Sequence, residues 1–359
     1  MVDSKQAPLD SAAAAKAAFA SVQDKPFPDD IFTAPELRWA VIGCGVIANQ
    51  MAQSLALAGR KLAGVANRTL SKAQAFAEQY GIEKVYESVE DLYADPGIDA
   101  VYITTPHNTH ITYLRDALAA GKHVLCEKAI TLNSAELDEA RAIADERNVV
   151  LMDATTVLHM PLYQELRRRM DAGEFGRMNL AQLNFGSYKE YGDLTNRFYN
   201  RNLAGGAMLD IGVYALSVMR LFMASQPIEV VSLGNTCETG VDVAGGIVCR
   251  NAEQQLGVVS LTLHSKQPKR SIISFDKCYI EVNEYPRADH ATIVWTADGH
   301  REEVHAGTEA YALCYEMADL EKAVAGDDSK RELLGYASDV MELMTKLRAD
   351  WGVVYPEEE

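Results

Sequence analysis

The sequence lacks the patterns that mark several large classes of protein. Its six cysteines include no Cys-x-x-Cys pair, and a chain of 359 residues needs no disulfide framework, so we expect reduced thiols and a cytoplasmic location. Lys and Arg number 34 against 51 Asp and Glu, and no basic stripe could follow a phosphate backbone, so nucleic acid is not an expected partner. No stretch approaches the roughly 20 apolar residues that span a bilayer, so no membrane partner is expected either.

Residues 1–36 have the composition of an arm or linker. Pro26, Pro28 and Pro35 interrupt the end of the segment, and Lys16 breaks its alanine run, which therefore fits a secretory leader poorly. One short helix is expected there, at residues 11–22. The rest of the chain is long enough, and with 48% hydrophobic residues apolar enough, to bury a core in each of two domains.

Residues 38–152 repeat a short apolar run followed by a helical segment. This rhythm is typical of a parallel sheet with crossover helices, so we expect a doubly wound, Rossmann-type α/β domain that binds a dinucleotide at residues 37–156. Helices such as residues 111–120 and 135–146 show apolar side chains at three- and four-residue spacing. The predicted strands are residues 39–43, 62–66, 84–86, 100–104, 123–127 and 149–152.

The rhythm changes after residue 161. A helix at residues 162–172 precedes a long stretch of alternating strands, which predicts a C-terminal α/β domain at residues 157–359 with an open, mostly antiparallel sheet. We expect this domain to carry the substrate site and the subunit contacts. Its predicted strands are residues 179–185, 229–233, 245–249, 257–263, 271–275 and 292–295, and its further helices are residues 206–223 and 333–351.

Residues 43–48, GCGVIA, form a G-x-G-x-x-A element between the first strand and the helix that follows it. At that position Gly43 permits a tight turn, and Gly45 lets the backbone approach a pyrophosphate. The charge of the pyrophosphate meets the N-terminus of the helix, where Val46 and Ile47 form the first turn. The motif alone is weak, but the surrounding strand-helix rhythm favours a dinucleotide site.

The end of the second predicted strand bears on the choice between NAD and NADP. NAD-selective sites carry an acidic residue about 20 residues after the glycine motif, where it binds the ribose 2′-hydroxyl. This chain has Asn67 and Arg68 there, and a guanidinium can bind a 2′-phosphate or stack on adenine. NADP is therefore favoured over NAD. The alternative is that Arg68 is only a solvated side chain.

Three further segments follow in order: TTPHNTH at residues 104–110, GKHVLCEK at residues 121–128 and GGAMLDIGVY at residues 205–214. Together with the glycine motif they resemble the family of glucose-fructose oxidoreductase and inositol 2-dehydrogenase (Gfo/Idh/MocA). The resemblance covers residues 37–350. It implies an NAD(P)-dependent dehydrogenase or reductase that acts on CH–OH groups.

The resemblance also implies three catalytic residues. Lys128 matches the lysine of the family's Glu-Lys-Pro segment, although Ala129 replaces the proline, and Asp210 matches the family's helix aspartate. The usual histidine four residues later is Tyr214, as in the branch similar to dimeric dihydrodiol dehydrogenases and NADP-dependent xylose dehydrogenases. Residues four apart share one helix face, so both side chains can project into one cleft. The lysine ammonium should lower the pKa of the tyrosine, the expected acid/base.

By the same resemblance, other positions belong to the cofactor side of the crevice: Thr105, Pro106, Asn108, His110 and Glu127. His107 and His110 could share a helical face, but no nearby Asp, Glu or Cys completes a set of ligands, so we expect no metal. His159, between the two predicted domains, could touch substrate. A satisfied buried imidazole is the alternative interpretation.

The expected reaction is reversible hydride transfer between NADP(H) or NAD(H) and a carbinol carbon of a sugar, cyclitol or cyclic diol. A homo-oligomer, either a dimer or a tetramer, is expected. Two alternatives are an NAD-dependent glycosidase that uses transient oxidation and a non-catalytic NAD(P) sensor. The complete set of Lys128, Asp210 and Tyr214 argues against the sensor, as does the lack of a recognisable nucleic-acid module.

Overall fold

Two β-sheets organise the molecule, as the two sequence patterns predict. The structure is a computed structural model that describes residues 11–23 and 25–359. The strands of the first sheet are Trp39–Ile42 (β1), Gly64–Ala66 (β2), Lys84–Tyr86 (β3), Ala100–Ile103 (β4), His123–Cys126 (β5) and Leu151–Asp153 (β6). They run parallel in the order β3-β2-β1-β4-β5-β6, which confirms the expected doubly wound fold.

Helices follow most of these strands and cover the sheet. The helices before residue 150 are Ser11–Val22 (α1), Val46–Leu57 (α2), Leu70–Tyr80 (α3), Val89–Ala94 (α4), His110–Ala119 (α5) and Ser134–Arg147 (α6). The central strands β1 and β4 are buried along their whole length, which explains their unbroken apolar sequences. The loops after β1, β4 and β5 therefore meet at the carboxyl edge of one rigid sheet.

The second sheet has eight strands and an exposed face. They are Met178–Gly186 (β7), Glu229–Thr236 (β8), Asp242–Arg250 (β9), Leu256–Thr262 (β10), Gln267–Phe275 (β11), Cys278–Asn283 (β12), His290–Trp295 (β13) and Arg301–His305 (β14). Their order is β14-β13-β12-β11-β7-β10-β9-β8, and every neighbouring pair is antiparallel except β7 with β10. The expectation of an open, mostly antiparallel sheet is confirmed.

The strand prediction for this sheet was incomplete, because β12 and β14 were missed. In β14 only Val304 is buried, since the strand lies at the sheet edge and carries charged residues on both faces. In β12 the alternation was present, with Cys278, Ile280 and Val282 buried in turn. The polar residues on either side of it hid that signal.

The helices of the second half divide between the two sheets. They are Pro161–Asp171 (α7), Val213–Phe222 (α8), Ala312–Val324 (α9), Asp328–Arg331 (α10) and Leu333–Asp350 (α11). A π-helical turn, Met208–Gly212, leads into α8, so the predicted helix at 206–223 is not a regular α-helix throughout. Helix α9 was missed. Its Leu313, Met317 and Leu320 join the apolar core formed by α2 and the first sheet. Buried acidic residues interrupt its apolar period.

The N-terminal arm packs on the folded body. Helix α1 has the predicted bounds, and residues 1–10 lie outside the described part of the chain. Val22 and Ile31 are buried in the core. The ring of Phe27 lies 5.0 Å from that of Tyr311, just before α9. The arm therefore fastens the start of α9 against the first sheet.

One segment, Arg201–Phe222, reaches the length and hydropathy of a membrane span, contrary to the expectation that none would. The structure places it in the protein interior, where 83% of its apolar window is buried. This is the environment of a core helix. All six cysteines are free, as expected.

Candidate active site

The segment after β5 and the π-helical turn before α8 come into contact, and the region where they meet is called the crevice below. Lys128 lies two residues beyond β5, and its Nζ donates hydrogen bonds to the backbone oxygen of Asp210, at 2.8 Å, and to its Oδ1, at 3.2 Å. The side chains are only 14% and 11% exposed. A π-helical turn of this kind often marks a functional site. Here it aims both a carbonyl and a carboxylate at the ammonium.

Tyr214 completes the cluster from the first turn of α8. The Nζ of Lys128 lies 4.9 Å from the centre of the Tyr214 ring, within the range of a cation–π contact. The Tyr214 hydroxyl forms no hydrogen bond with any residue that the structure describes. The structure thus brings together all three residues predicted to be catalytic, and it leaves the hydroxyl available to a ligand.

The positive charge of Lys128 and the negative charge of Asp210 stabilise each other. Burial would lower the pKa of Lys128, but Asp210 and Tyr214 outweigh it and the pKa is raised. Burial would raise the pKa of Asp210, but Lys128 and Arg197 hold it well below its ordinary value. At neutral pH the lysine is therefore charged and the aspartate is a carboxylate.

Tyr214 differs from the sequence expectation. Lys128 does favour the tyrosinate, as expected, but the pKa of Tyr214 is raised, because burial has a larger effect than the ammonium. The hydroxyl is therefore protonated at neutral pH in this structure. The sequence indicated the neighbouring charge, but it did not indicate how far the ring would be buried.

The glycine motif has the geometry of a pyrophosphate cradle. Gly43 has φ +103°, and a Cβ there would lie 2.6 Å from the Oγ1 of Thr104, so only glycine fits. Gly45 precedes α2, and a Cβ there would meet no atom within 4 Å. The first turn of α2 has no side-chain cap, and Val46 is 70% exposed, whereas Ile47 is half-buried against the core. The helix amides thus face open space, which fits a dinucleotide phosphate.

The loop after β2 carries the residues expected at the adenosine ribose. Asn67 donates to the backbone oxygen of Thr69 at 3.0 Å and so shapes the turn. Arg68 is exposed and has no hydrogen bond or ion pair within the described part of the chain. Burial raises the pKa of the Cys44 thiol, in the glycine loop, to about 11. The positive charge of Lys72, in α3, is close enough to act against this rise, but burial has the larger effect. The loop after β2 and the start of α3 therefore carry two positive charges, those of Arg68 and Lys72.

The loop after β4 separates into an open part and a supporting part. Pro106 is exposed and Thr105 half-buried, whereas His110 is completely buried. The Nδ1 of His110 lies 3.0 Å from the backbone oxygen of Ala129, and its Nε2 lies 2.8 Å from that of Thr105. His110 therefore connects this loop to the segment after Lys128, and its predicted contact with the cofactor stays a prediction.

Asn108 and Glu127 also have protein partners. Asn108 donates to the backbone oxygen of Asn202, at 3.2 Å, and to Oε1 of Glu357, at 2.7 Å, and so joins the loop to the second half of the chain. Glu127 is buried and accepts a hydrogen bond from the hydroxyl of Tyr102, while burial raises its pKa. Both residues lie beside the crevice, and their predicted roles toward the cofactor are not tested by these contacts.

His159 lies apart from the catalytic cluster. It is completely buried, with Nδ1 3.0 Å from Oδ2 of Asp319 and Nε2 2.8 Å from the backbone oxygen of Asp153. It lines a cavity of about 410 Å³ together with Asp30 and Ile31 of the arm and with residues of α7 and α9. The alternative interpretation of a satisfied buried imidazole fits this geometry, and a contact with substrate stays a prediction.

Sequence reasoning missed one side chain that lies at the crevice. Arg197, in the segment between β7 and the π-helical turn, places Nη2 3.4 Å from Oδ1 of Asp210. Its guanidinium is 60% exposed. The segment has no regular period and matches no motif, so nothing in the sequence connected it with Asp210.

Comparison with known proteins identifies the family. Residues 37–155 match the oxidoreductase family with an NAD-binding Rossmann fold, and residues 163–281 match the GFO/IDH/MocA C-terminal domain. The chain belongs to the GFO/IDH/MocA oxidoreductase family. The resemblance seen in the four motifs is thereby confirmed, and the protein is an NAD(P)-dependent oxidoreductase.

Relatives of known activity cover most of this GFO/IDH/MocA protein. Mouse trans-1,2-dihydrobenzene-1,2-diol dehydrogenase is 32% identical over 254 residues, which are 69% of this chain and 75% of the mouse enzyme. The pig enzyme of the same name is 29% identical over 340 residues, 90% of this chain and 99% of the pig protein. These relatives belong to the branch that the Tyr214 position indicated.

Two solved structures share the fold. A 3-ketoreductase from Actinomadura kijaniata, in complex with NADP and TDP-benzene, superposes with a TM-score of 0.75 at 24% identity, over 88% of this chain and 98% of that one. A levoglucosan dehydrogenase, in complex with NADH and levoglucosan, gives a TM-score of 0.75 at 19% identity, over 86% and 97%. One neighbour carries NADP and the other NADH, so the likeness does not choose between the two cofactors.

Replacing each of the two glycines of the motif by alanine should have a different effect, one on cofactor binding and the other on stability. Gly45→Ala adds a methyl group in open space at an ordinary φ of −78°, so the free energy of unfolding should change by less than about 0.5 kcal/mol. The methyl should crowd the pyrophosphate and weaken NADP binding by about 10-fold. Gly43→Ala should destabilise the fold by about 1–3 kcal/mol, because of its positive φ and its contact with Thr104.

Thermal unfolding without ligand and calorimetric titration with NADP measure the two effects. Equal loss of stability in the two variants, or a Gly45→Ala protein that binds NADP like the wild type, would contradict the cradle.

Proposed function

We propose that this oxidoreductase transfers hydride between a nicotinamide cofactor and a CH–OH carbon of a sugar, cyclitol or cyclic diol. The observation that carries the proposal is the buried cluster of Lys128, Asp210 and Tyr214 in the crevice. It supplies a fixed positive charge and an unpartnered hydroxyl, the two groups that a reacting alcohol oxygen needs. The named activities of the relatives support the same class of substrate.

The chain's own residues handle the proton. In the oxidative direction, the substrate hydroxyl gives its proton to the oxygen of ionised Tyr214 as hydride leaves the carbon. The bound nicotinamide supplies the hydride acceptor chemistry. Lys128 stabilises the tyrosinate and holds the substrate oxygen, while Asp210 fixes the position and charge of Lys128. In the reductive direction, the protonated Tyr214 donates to the developing alkoxide.

The pH dependence follows from the raised pKa of Tyr214. Oxidation uses the tyrosinate, so its rate should increase as the pH rises toward that pKa. Reduction uses the protonated hydroxyl, which predominates at neutral pH, so its rate should be highest there and fall at alkaline pH.

Removal of the proton carrier should greatly lower the turnover rate and should change the affinity for NADP very little. Tyr214→Phe deletes the hydroxyl with little change in volume, so kcat should fall by about 100-fold or more while NADP affinity stays nearly intact. Lys128→Met should lower kcat to a similar extent. Steady-state kinetics on a substrate found by screening sugars, cyclitols and diols gives kcat, and calorimetry gives the affinity.

A matched control is Phe185→Leu, which removes the aromatic ring that lies 6.1 Å from the Tyr214 ring and leaves the hydroxyl in place. Its kcat should fall far less than that of Tyr214→Phe. A Tyr214→Phe enzyme with turnover near that of the wild type would rule out the acid/base role.

We further propose that NADP is the preferred cofactor. Asn67 and Arg68 stand where a carboxylate would select NAD, and the exposed guanidinium of Arg68 is available to a 2′-phosphate. Lys72 adds a second positive charge near the glycine loop. Charge-assisted hydrogen bonds to phosphate are among the stronger polar contacts in proteins.

Arg68→Ala should therefore weaken NADP binding by about 10-fold, because hydrogen bonds to charged groups contribute about 1.5–3 kcal/mol, and NAD binding should stay nearly unchanged. Arg147→Ala, at the exposed end of α6, serves as the control and should alter neither affinity. Titration of both cofactors into the three proteins measures the effect. Tighter binding of NAD than of NADP by the wild type would refute the preference.

The remaining proposals concern assembly and location. We propose a homo-oligomer formed through the open face of the second sheet, where Val231 and Leu233 of β8 are 75% and 83% exposed and Val231 pairs with the exposed Val248 of β9. An exposed apolar patch of this kind is typical of a subunit contact. Sedimentation analysis would give the subunit number. We also propose a cytoplasmic location, on the basis of the six free cysteines.

A further inference from the structure

His107 lies beside the catalytic cluster, at the start of a short helical turn that leads into α5. The charges of Lys128 and Asp210 both act on its imidazole, which places the ring on the catalytic side of the crevice. The side chain is half-buried, and its Nδ1 lies 3.3 Å from the backbone oxygen of Ala204, shortly before the π-helical turn. His107 therefore connects the loop after β4 with the segment that enters this turn.

The contact with Ala204 determines which ring nitrogen of His107 carries a proton. A backbone oxygen can only accept a hydrogen bond, so Nδ1 must be the donor. Burial, with smaller contributions from His110 and Lys128, lowers the pKa of His107 to about 3, so at neutral pH the ring is uncharged and has one N–H. Nε2 is therefore left with a lone pair, and it can only accept.

The lone pair of Nε2 is available to a ligand. No residue that the structure describes donates a hydrogen bond to it, and solvent reaches it, unlike the buried Oδ1 of the neighbouring Asn108. Ala204, which holds the other ring nitrogen, has φ +51°, a left-handed conformation that is unfavourable for a residue with a Cβ. Such conformations often occur at functional sites. The fold thus fixes the orientation of the imidazole and leaves its acceptor nitrogen accessible.

The catalytic cluster offers the complementary groups. The ammonium of Lys128 has three N–H groups and gives two hydrogen bonds to Asp210, which leaves one N–H for a ligand oxygen. The hydroxyl of Tyr214 is without a partner in the described part of the chain. These two groups suit the reacting oxygen of an alcohol, whereas Nε2 of His107 suits a ligand group that donates. A carbonyl or carboxylate oxygen at that point would place its lone pairs against the lone pair of the ring.

We propose that His107 selects substrates with a second hydroxyl on the carbon next to the reacting one, and that this hydroxyl donates a hydrogen bond to Nε2. Oxygens on neighbouring carbons are close together, so one can lie at Lys128 and Tyr214 while the other lies at His107. The substrate is then a vicinal diol, whether within a sugar, a cyclitol or a cyclic diol, and His107 is a specificity-determining residue. This inference rests on the proposed function for the position of the reacting hydroxyl.

A binding experiment separates this inference from the question of turnover. The protein is saturated with NADPH, which cannot accept hydride from an alcohol, and is titrated by calorimetry with matched probes in which fluorine replaces the second hydroxyl. The pairs are trans-cyclohexane-1,2-diol against trans-2-fluorocyclohexanol, and glucose against 2-deoxy-2-fluoroglucose. Fluorine is close to a hydroxyl in size and cannot donate. At least one diol should bind about 5-fold more tightly than its fluoro partner, the loss expected when one neutral hydrogen bond is removed.

The same titrations in three variants locate the effect. His107→Asn keeps an amide donor near the position of Nδ1, for Ala204, but has no atom at the position of Nε2, so the preference for the diol should disappear. His107→Gln places an amide oxygen near the position of Nε2 and should keep part of the preference. His300→Asn, at the exposed turn between β13 and β14, is the matched control and should leave it unchanged. NADPH affinity should be the same in all three.

Three results would overturn the inference. One is that no diol binds more tightly than its fluoro partner, and another is that the preference survives in His107→Asn. The third is a loss of NADPH affinity in His107→Asn, because Nε2 would then bind the cofactor. A wild-type enzyme that prefers the diol as expected, yet transfers no hydride to or from any sugar or diol, would instead refute the proposed function and leave the hydroxyl site standing.

Discussion

A lysine ammonium cannot remain charged in a buried crevice unless a carboxylate and hydrogen-bond acceptors surround it. Lys128 meets this condition only because the π-helical turn before α8 presents both the backbone oxygen and the carboxylate of Asp210. Lys128 follows a strand of the first sheet, Asp210 lies in the π-helical turn, and the two residues are 82 positions apart in the chain. The packing of the rest of the structure keeps the segment after β5 and the π-helical turn in contact. If they separated, each would keep a buried charge without its partner.

Several long-range contacts preserve that arrangement. Helix α9, far along the chain, covers the face of the first sheet, and the N-terminal arm fastens the start of α9. On the other side, the hydroxyl of Tyr355 donates to the backbone oxygen of Gly205 at 2.6 Å, and Glu357 accepts from Asn108 beside β4. Contacts from both halves of the chain therefore hold the segments around the catalytic crevice in position. A small displacement of either half would shift Lys128 relative to its partners.

The sequence predicted what depends on local periodicity and on motifs. The parallel sheet could be recognised because burial on both faces imposes a repeating apolar pattern, and the order of the catalytic motifs could be recognised from the motif residues themselves. Helix α9 could not, since its buried acidic residues break the pattern that marks a core helix. The place of Arg197 and the net pKa shift of Tyr214 depend on which segments fold over the crevice, and local sequence does not encode that burial.

The central claim is that Lys128 and Tyr214 act as one proton-transfer unit, and a double-mutant cycle on kcat tests it most directly. The rates of wild type, Lys128→Met, Tyr214→Phe and the double variant are compared on one substrate with saturating cofactor. If the two residues act together, the double variant should be scarcely slower than the slower single variant. Losses that multiply in the double variant would show that the two residues act independently and would contradict the account.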